Sequence, residues 1–179
     1  MIKIVKKITV VGVLFLALIA TPTLAFADDY QKTTLSKEEL GKVVSSQKLT
    51  LYSNVQTGGP IKLNLGSLGS GESLLYKGWC GLFDNRATGQ SVTYLSVSSG
   101  DHDPQVGGRF FQNGSQLYSG NTGRVEGLAS EARGTYPSVC YGSGTANWRT
   151  ESDHTIWTNI LFTGWRIEAT GNTSTTATF

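Results

Sequence analysis

From Lys48 onward the chain alternates apolar and polar side chains with a period of two. Lys48-Leu49-Thr50-Leu51-Tyr52 and Ile61-Lys62-Leu63-Asn64-Leu65 each set their apolar groups on one face and their polar groups on the other, the pattern of a half-buried strand. Ser91 to Ser98 is a β-branched and aromatic run with the same preference. Thr155–Thr163 and Trp165–Ala169 read as two late strands, with Gly164 as the bend between them. Arg109-Phe110-Phe111-Gln112 and Ser115-Gln116-Leu117-Tyr118 flank Asn113-Gly114. Asn-Gly supplies the two positive-φ residues of a type I′ turn, so this segment predicts a hairpin. Between these runs, Gly66-Ser67-Leu68-Gly69-Ser70-Gly71 reads as a flexible turn, Gly100 to Pro104 as a loop, and Thr170 to Phe179 as a polar, Thr-rich tail. Many short strands separated by turn residues indicate an all-β domain, a single antiparallel β-sandwich or barrel-like fold.

The residues before Lys48 behave differently. Only Gly12 and Gly41 of the 22 glycines lie there. Ser36-Lys37-Glu38-Glu39 fits a capping box, in which the Ser36 hydroxyl accepts from the Glu39 N–H and the Glu39 carboxylate accepts from the Ser36 N–H. Leu35 and Leu40 fall at the positions of a hydrophobic staple, and a short helix from Lys37 to about Val44 is expected. At two turns it must pack on something to persist. Further upstream, Lys3, Lys6 and Lys7 precede an apolar run from Ile8 to Ala20, and Ala25-Phe26-Ala27 supplies an A-x-A site. Charged start, short apolar middle and small-residue end make Met1–Ala27 a signal peptide. The run is too short for a permanent span, which takes about 20 residues. The expected organisation is a leader over 1–27, a polar segment with a short helix over 28–47, and a β domain over 48–179.

Removing the leader changes the charge. The full chain carries 15 basic and 13 acidic residues. Three lysines leave with the leader, so the mature balance is 12 against 13. No run of five or more basic residues exists, which sets nucleic acid aside as a partner. An exported chain with only two cysteines, Cys80 and Cys140, predicts one disulfide. In the chain-entropy model a loop of that length contributes roughly 4 kcal/mol.

Candidate chemistry is sparse. The two histidines sit among carboxylates, in Asp101-His102-Asp103-Pro104 and Glu151-Ser152-Asp153-His154. An Asp–His pair can orient an imidazole as a general base, so His102 and His154 with Asp101 and Asp153 are the candidate catalytic set. The competing reading of the first segment is a turn whose aspartates accept from backbone N–H groups, and a calcium loop there is a third. There is no nucleophile elbow, no H-E-x-x-H and no phosphate-binding lysine motif, and no metal or cofactor is expected. Among the aromatics, Trp79 is expected on the disulfide and Trp157 and Trp165 in the core. Trp148-Arg149, following the Gly142–Asn147 loop, and Tyr118 on the hairpin are the candidate binding residues.

Together these features point to a secreted bacterial protein, an extracellular binding module more than an enzyme. It would act on a surface such as cell-wall glycan, other carbohydrate or another cell. A secreted hydrolase using His102 and His154 is one alternative. A secreted toxin or bacteriocin-like membrane-active factor is another.

Overall fold

The computed structural model describes residues 36–53, 66–82, 84–97 and 100–179. The leader Met1–Ala27, Leu35 and the expected strand Ile61–Leu65 lie outside the described residues. The capping box is formed: the Ser36 N–H donates to Glu39 Oε2 at 2.8 Å, and the Glu39 N–H donates to Ser36 Oγ at 3.2 Å. These bonds hold the Glu39 carboxyl below the usual carboxylate range. The helix they start, α1, covers only Lys37–Leu40, not the stretch to Val44. Gly41 adopts φ +91° and ends it, as glycine does where a helix closes into the left-handed region. The β-branched Val43 and Val44 then enter strand β1, Lys42–Tyr52. The polar segment thus runs directly into the sheet.

Eight further strands follow: β2 Ser67–Cys80, β3 Asp84–Leu95, β4 His102–Gln112, β5 Ser115–Asn121, β6 Glu131–Thr135, β7 Val139–Tyr141, β8 Asn147–Ile160 and β9 Gly164–Thr178. They form two antiparallel sheets. One has the order β1-β2-β3-β6, with β7 also pairing β3; the other has the order β5-β4-β8-β9. The chain is a two-layer, nearly all-β sandwich. The expected Asn113-Gly114 hairpin joins β4 to β5, with φ of 50° and 84° at its two turn residues.

Three segments read as turns or tails are strands. Gly66–Gly71 is largely the start of β2, because Gly69 and Gly71 serve close approach instead of flexibility. A Cβ on Gly69 would lie 2.0 Å from the Tyr94 carbonyl oxygen, and one on Gly71 would lie 2.3 Å from the His154 ring. Pro104 lies within β4 opposite Ile156. Its carbonyl accepts from the Val125 N–H, so its missing N–H points to the same side, beyond the end of β5, and the ladder to β8 is unbroken. The Thr-rich tail is most of β9; Thr173 and Thr175 alternate inward and are buried.

The interior has three zones along β8. Trp148 heads an aromatic cluster with Phe110, Tyr136, Leu75 and Val106. Its ring lies 5.4 Å from Phe110, within the range of favourable aromatic pairing. At the other end Ile156 packs with Leu51, Leu68 and Ala169. Between them Ser152 and His154 face Ser73, Ser91, Thr93 and Thr173, all buried, so a hydroxyl-rich belt separates two apolar pools. Cys80 and Cys140 form a disulfide with a Cα–Cα distance of 5.8 Å, tying β2 to β7.

Candidate functional site

The sequence-derived candidates disperse over the fold. His102 and His154 both lie on the second sheet, but His102 stands opposite Thr158 and His154 four residues earlier on the same strand. At strand rise this separates them by roughly 13 Å. His102 Nε2 pairs with Glu168 Oε2 at 3.3 Å. His154 is 1% exposed. Its Nδ1 lies 2.9 Å from Thr93 Oγ1 and its Nε2 lies 2.8 Å from Thr173 Oγ1. The Thr93 hydroxyl is already donated to the Gln105 carbonyl at 2.9 Å. Nδ1 therefore carries the proton, and in the neutral ring Nε2 accepts from Thr173. Burial pushes the imidazole pKa down to about 4, with Asp153 opposing weakly. Asp153 points the other way, as adjacent strand residues do, and accepts from the Asn172 amide. The Asp101 carbonyl, not its carboxylate, is engaged, accepting from the Asn159 N–H. The two histidines and their carboxylates form no shared catalytic constellation. Among the described residues no three His, Cys, Asp or Glu side chains converge on a point where a metal could sit.

The binding candidates change position too. The expected loop site at Trp148-Arg149 is strand, because β8 starts at Asn147. Trp148 is 0% exposed, so it has no face for a ligand to stack on. Arg149 lies over the Phe111 ring at 4.2 Å and pairs with Glu151. Tyr118 is half-buried and stacks on Phe110 at 6.5 Å. Trp79, expected against the disulfide, is 68% exposed near the β2–β3 turn.

A different group converges at the end of the sandwich that carries the β8–β9 turn. Asp103 pairs across the sheet with Trp157, which pairs with Ile167, while Asn159 pairs with Trp165. Directly paired residues share a face, so Asp103, Trp157, Trp165 and Ile167 all lie on the outer face of the second sheet. Beyond β5 the chain continues along β4: the Thr122 N–H donates to the Val106 carbonyl, and the Val125 N–H donates to the Pro104 carbonyl. This path lays Arg124 across the sheet. Its guanidinium sits 4.2 Å from the centre of the Trp165 ring, and its Nε lies 3.2 Å from Asp103 Oδ2. Neither atom has an aligned hydrogen bond there, although both are buried. Burial raises the Asp103 carboxyl pKa and Arg124 pulls it back. Gly100, Glu126, Gly127 and Leu128 complete a cleft of about 310 Å³.

Farther along the same face a second, shallower depression of about 460 Å³ is floored by Gly107, Gly108 and Gly120 and edged by Arg109, Asn121 and Asp153. Sequence reading assigned Trp165 to the core and passed over Arg124. The shared outward parity of Asp103, Trp157 and Trp165 would have been the signal, had the strand boundaries been legible.

Fold and site together define a two-sheet β-sandwich with a disulfide and a polar, aromatic-walled cleft at one end. Comparison with protein-family models, with curated proteins and with solved structures gives no match. The functional reading therefore rests on the geometry.

Proposed function

We propose that this is a secreted, non-enzymatic binding protein whose Trp165 cleft takes a saccharide unit of an extracellular glycan. The observation that carries the reading is the meeting, in one cleft, of Trp165 with the Arg124 guanidinium that the buried Asp103 carboxylate holds. An aromatic ring offers an apolar platform to the C–H face of a sugar. The buried Asp103 carboxylate, paired with Arg124, fixes the guanidinium beside that ring, and the low local dielectric strengthens the pair. Arg124 holds both groups in place and presents further N–H donors. The glycine-floored depression beside Asn121 and Asp153 gives a longer chain somewhere to continue. The hydrolytic alternative lacks this support, since His154 is buried at a distance from His102 and neither faces the cleft.

The test is retention on insoluble peptidoglycan, chitin and cellulose, followed by titration of tryptophan fluorescence with soluble oligosaccharides of the polymer retained. Trp165→Ala should abolish retention. Asp103→Asn, which keeps shape but weakens the hold on Arg124, should reduce affinity about tenfold, the equivalent of one charge-assisted hydrogen bond. Retention of wild type on none of the polymers would overturn the reading, as would equal retention of Trp165→Ala.

A further inference from the structure

The turn that joins β8 to β9 breaks two rules at once. Phe162 has φ +73°, a left-handed conformation that glycine or asparagine adopts readily and a bulky residue only under strain. It is also 98% exposed, and its neighbour Leu161 is 78% exposed. Neither property helps the fold, and a Gly or Asn at this position would remove both. A second loop repeats the arrangement alongside: Gly127 has φ +96° and Leu128, the residue after it, is 85% exposed. Leu128 and Trp165 line the same cleft, and Trp165 is separated from the turn only by Gly164, so the two apolar loops project from one end of the sandwich.

We propose that Leu161, Phe162 and Leu128 form an anchoring edge that inserts into the interfacial layer of a lipid bilayer. Three protruding side chains offer about 500 Å² of apolar surface, at roughly 150–200 Å² each. A stable protein interface needs about 800 Å² per partner and a fitted socket for convex knobs. A bilayer interface needs neither, because lipid chains part around small projections and each buried apolar group adds to binding. Trp165, half-buried just behind the tip, is the residue type that settles at headgroup depth. The charges around it are mixed: Arg124 with Asp103 and Glu126, His102 with Glu168, and the exposed Arg166 and Asp101. Insertion, not attraction to anionic headgroups, therefore supplies the affinity, and a zwitterionic surface is sufficient.

The glycan reading shares this end of the molecule and, of these three residues, only Leu128; vesicles without saccharide separate the two. The experiment is flotation of the chain processed after Ala27 with pure phosphatidylcholine vesicles, at low and at high salt. Wild type floats at both. Leu161→Ser combined with Phe162→Ser lowers the partition coefficient at least tenfold, and Leu128→Ser lowers it less. Phe162→Asn gives the sharpest outcome: the melting temperature rises as strain is relieved, while flotation falls. A wild type that stays in solution overturns the proposal. So does equal flotation of the variants, or a Phe162-dependent association with a protein surface in the absence of lipid.

Discussion

Burial and hydrogen bonding at His154 set a pH dependence that belongs to one residue. The ring faces Thr93 and Thr173, with Gly71 above it, and its one electrostatic partner is Asp153, whose side chain points outward. Its folded pKa of about 4 lies below its ordinary value of 6.5. The unfolded chain therefore binds the proton first as pH falls, and stability contributed by the neutral ring is intact above pH 6.5 and lost on the way down to pH 4. The depressed pKa corresponds to about 3 kcal/mol at most. Urea unfolding at pH 7, 6, 5 and 4 should show this decline, and His154→Gln should flatten it across that window. An unchanged pH slope in the variant would assign the effect to other groups. Asp103 runs in the opposite sense, because burial raises its pKa; protonation there eases a buried charge, so it does not add to the acid loss.

At the scale of the strand, the decisive device is the close approach of β2 to β8. Gly71 lets the two sheets meet over the His154 ring, where a Cβ would stand 2.3 Å from ring carbons. The ring cannot retreat, since both its nitrogens are held. Gly71→Ala should cost about 2–3 kcal/mol by overpacking, read as a lower urea midpoint with unchanged slope; a loss below about 0.5 kcal/mol would mean the sheets can part freely. The same device explains what was legible in the sequence. The Asn113-Gly114 hairpin and the Ser36–Glu39 cap were readable because local chemistry alone dictates them. The period-two run at Lys48–Tyr52 was readable because one face is buried; at Trp165–Ala169 the strand was readable but its faces were not, since an irregularity in the pairing turns Ile167 outward and Ala169 inward. β2 was not, because glycines chosen for inter-sheet distance look the same as glycines chosen for a turn. Trp148 and Trp165 exchanged roles for a related reason: a tryptophan declares its size but not the face of the strand it occupies, and a boundary error of a few residues moved Trp148 from β8 into a loop. His102 and Asp103 were read as a turn because Pro104 normally ends a strand, and only the position of Val125 shows why it does not here.

At the scale of the whole molecule, the Cys80–Cys140 bridge fastens the end of β2 to the three-residue β7, the shortest strand among the described residues. A strand that short has little ladder of its own, and the covalent link supplies its hold by limiting the unfolded chain. Replacing both cysteines with serine should lower stability by about 2–4 kcal/mol, measured by thermal or urea unfolding, and reducing agent should reproduce the loss in wild type but not in the variant. Equal stability of the two would mean that β6 and β7 are held by packing alone. The bridge lies at the end of the sandwich opposite the Trp165 cleft and the Leu161-Phe162 turn, which leaves that end without a covalent brace.

The belt of serine and threonine hydroxyls around His154 lies between those two ends. Apolar contacts spread a disturbance by repacking their neighbours, whereas a chain of directed hydrogen bonds holds its members to fixed distances: Ser73 sits 2.6 Å from Thr173, and Ser152 donates to Ser91 at 2.6 Å. It works as a bulkhead. Repacking of the pool of Leu51, Leu68, Ile156 and Ala169 behind the cleft would stop at this belt, and the aromatic pool around Trp148 would keep its register. New side chains can therefore be tried at the cleft end without putting the rest of the molecule at risk.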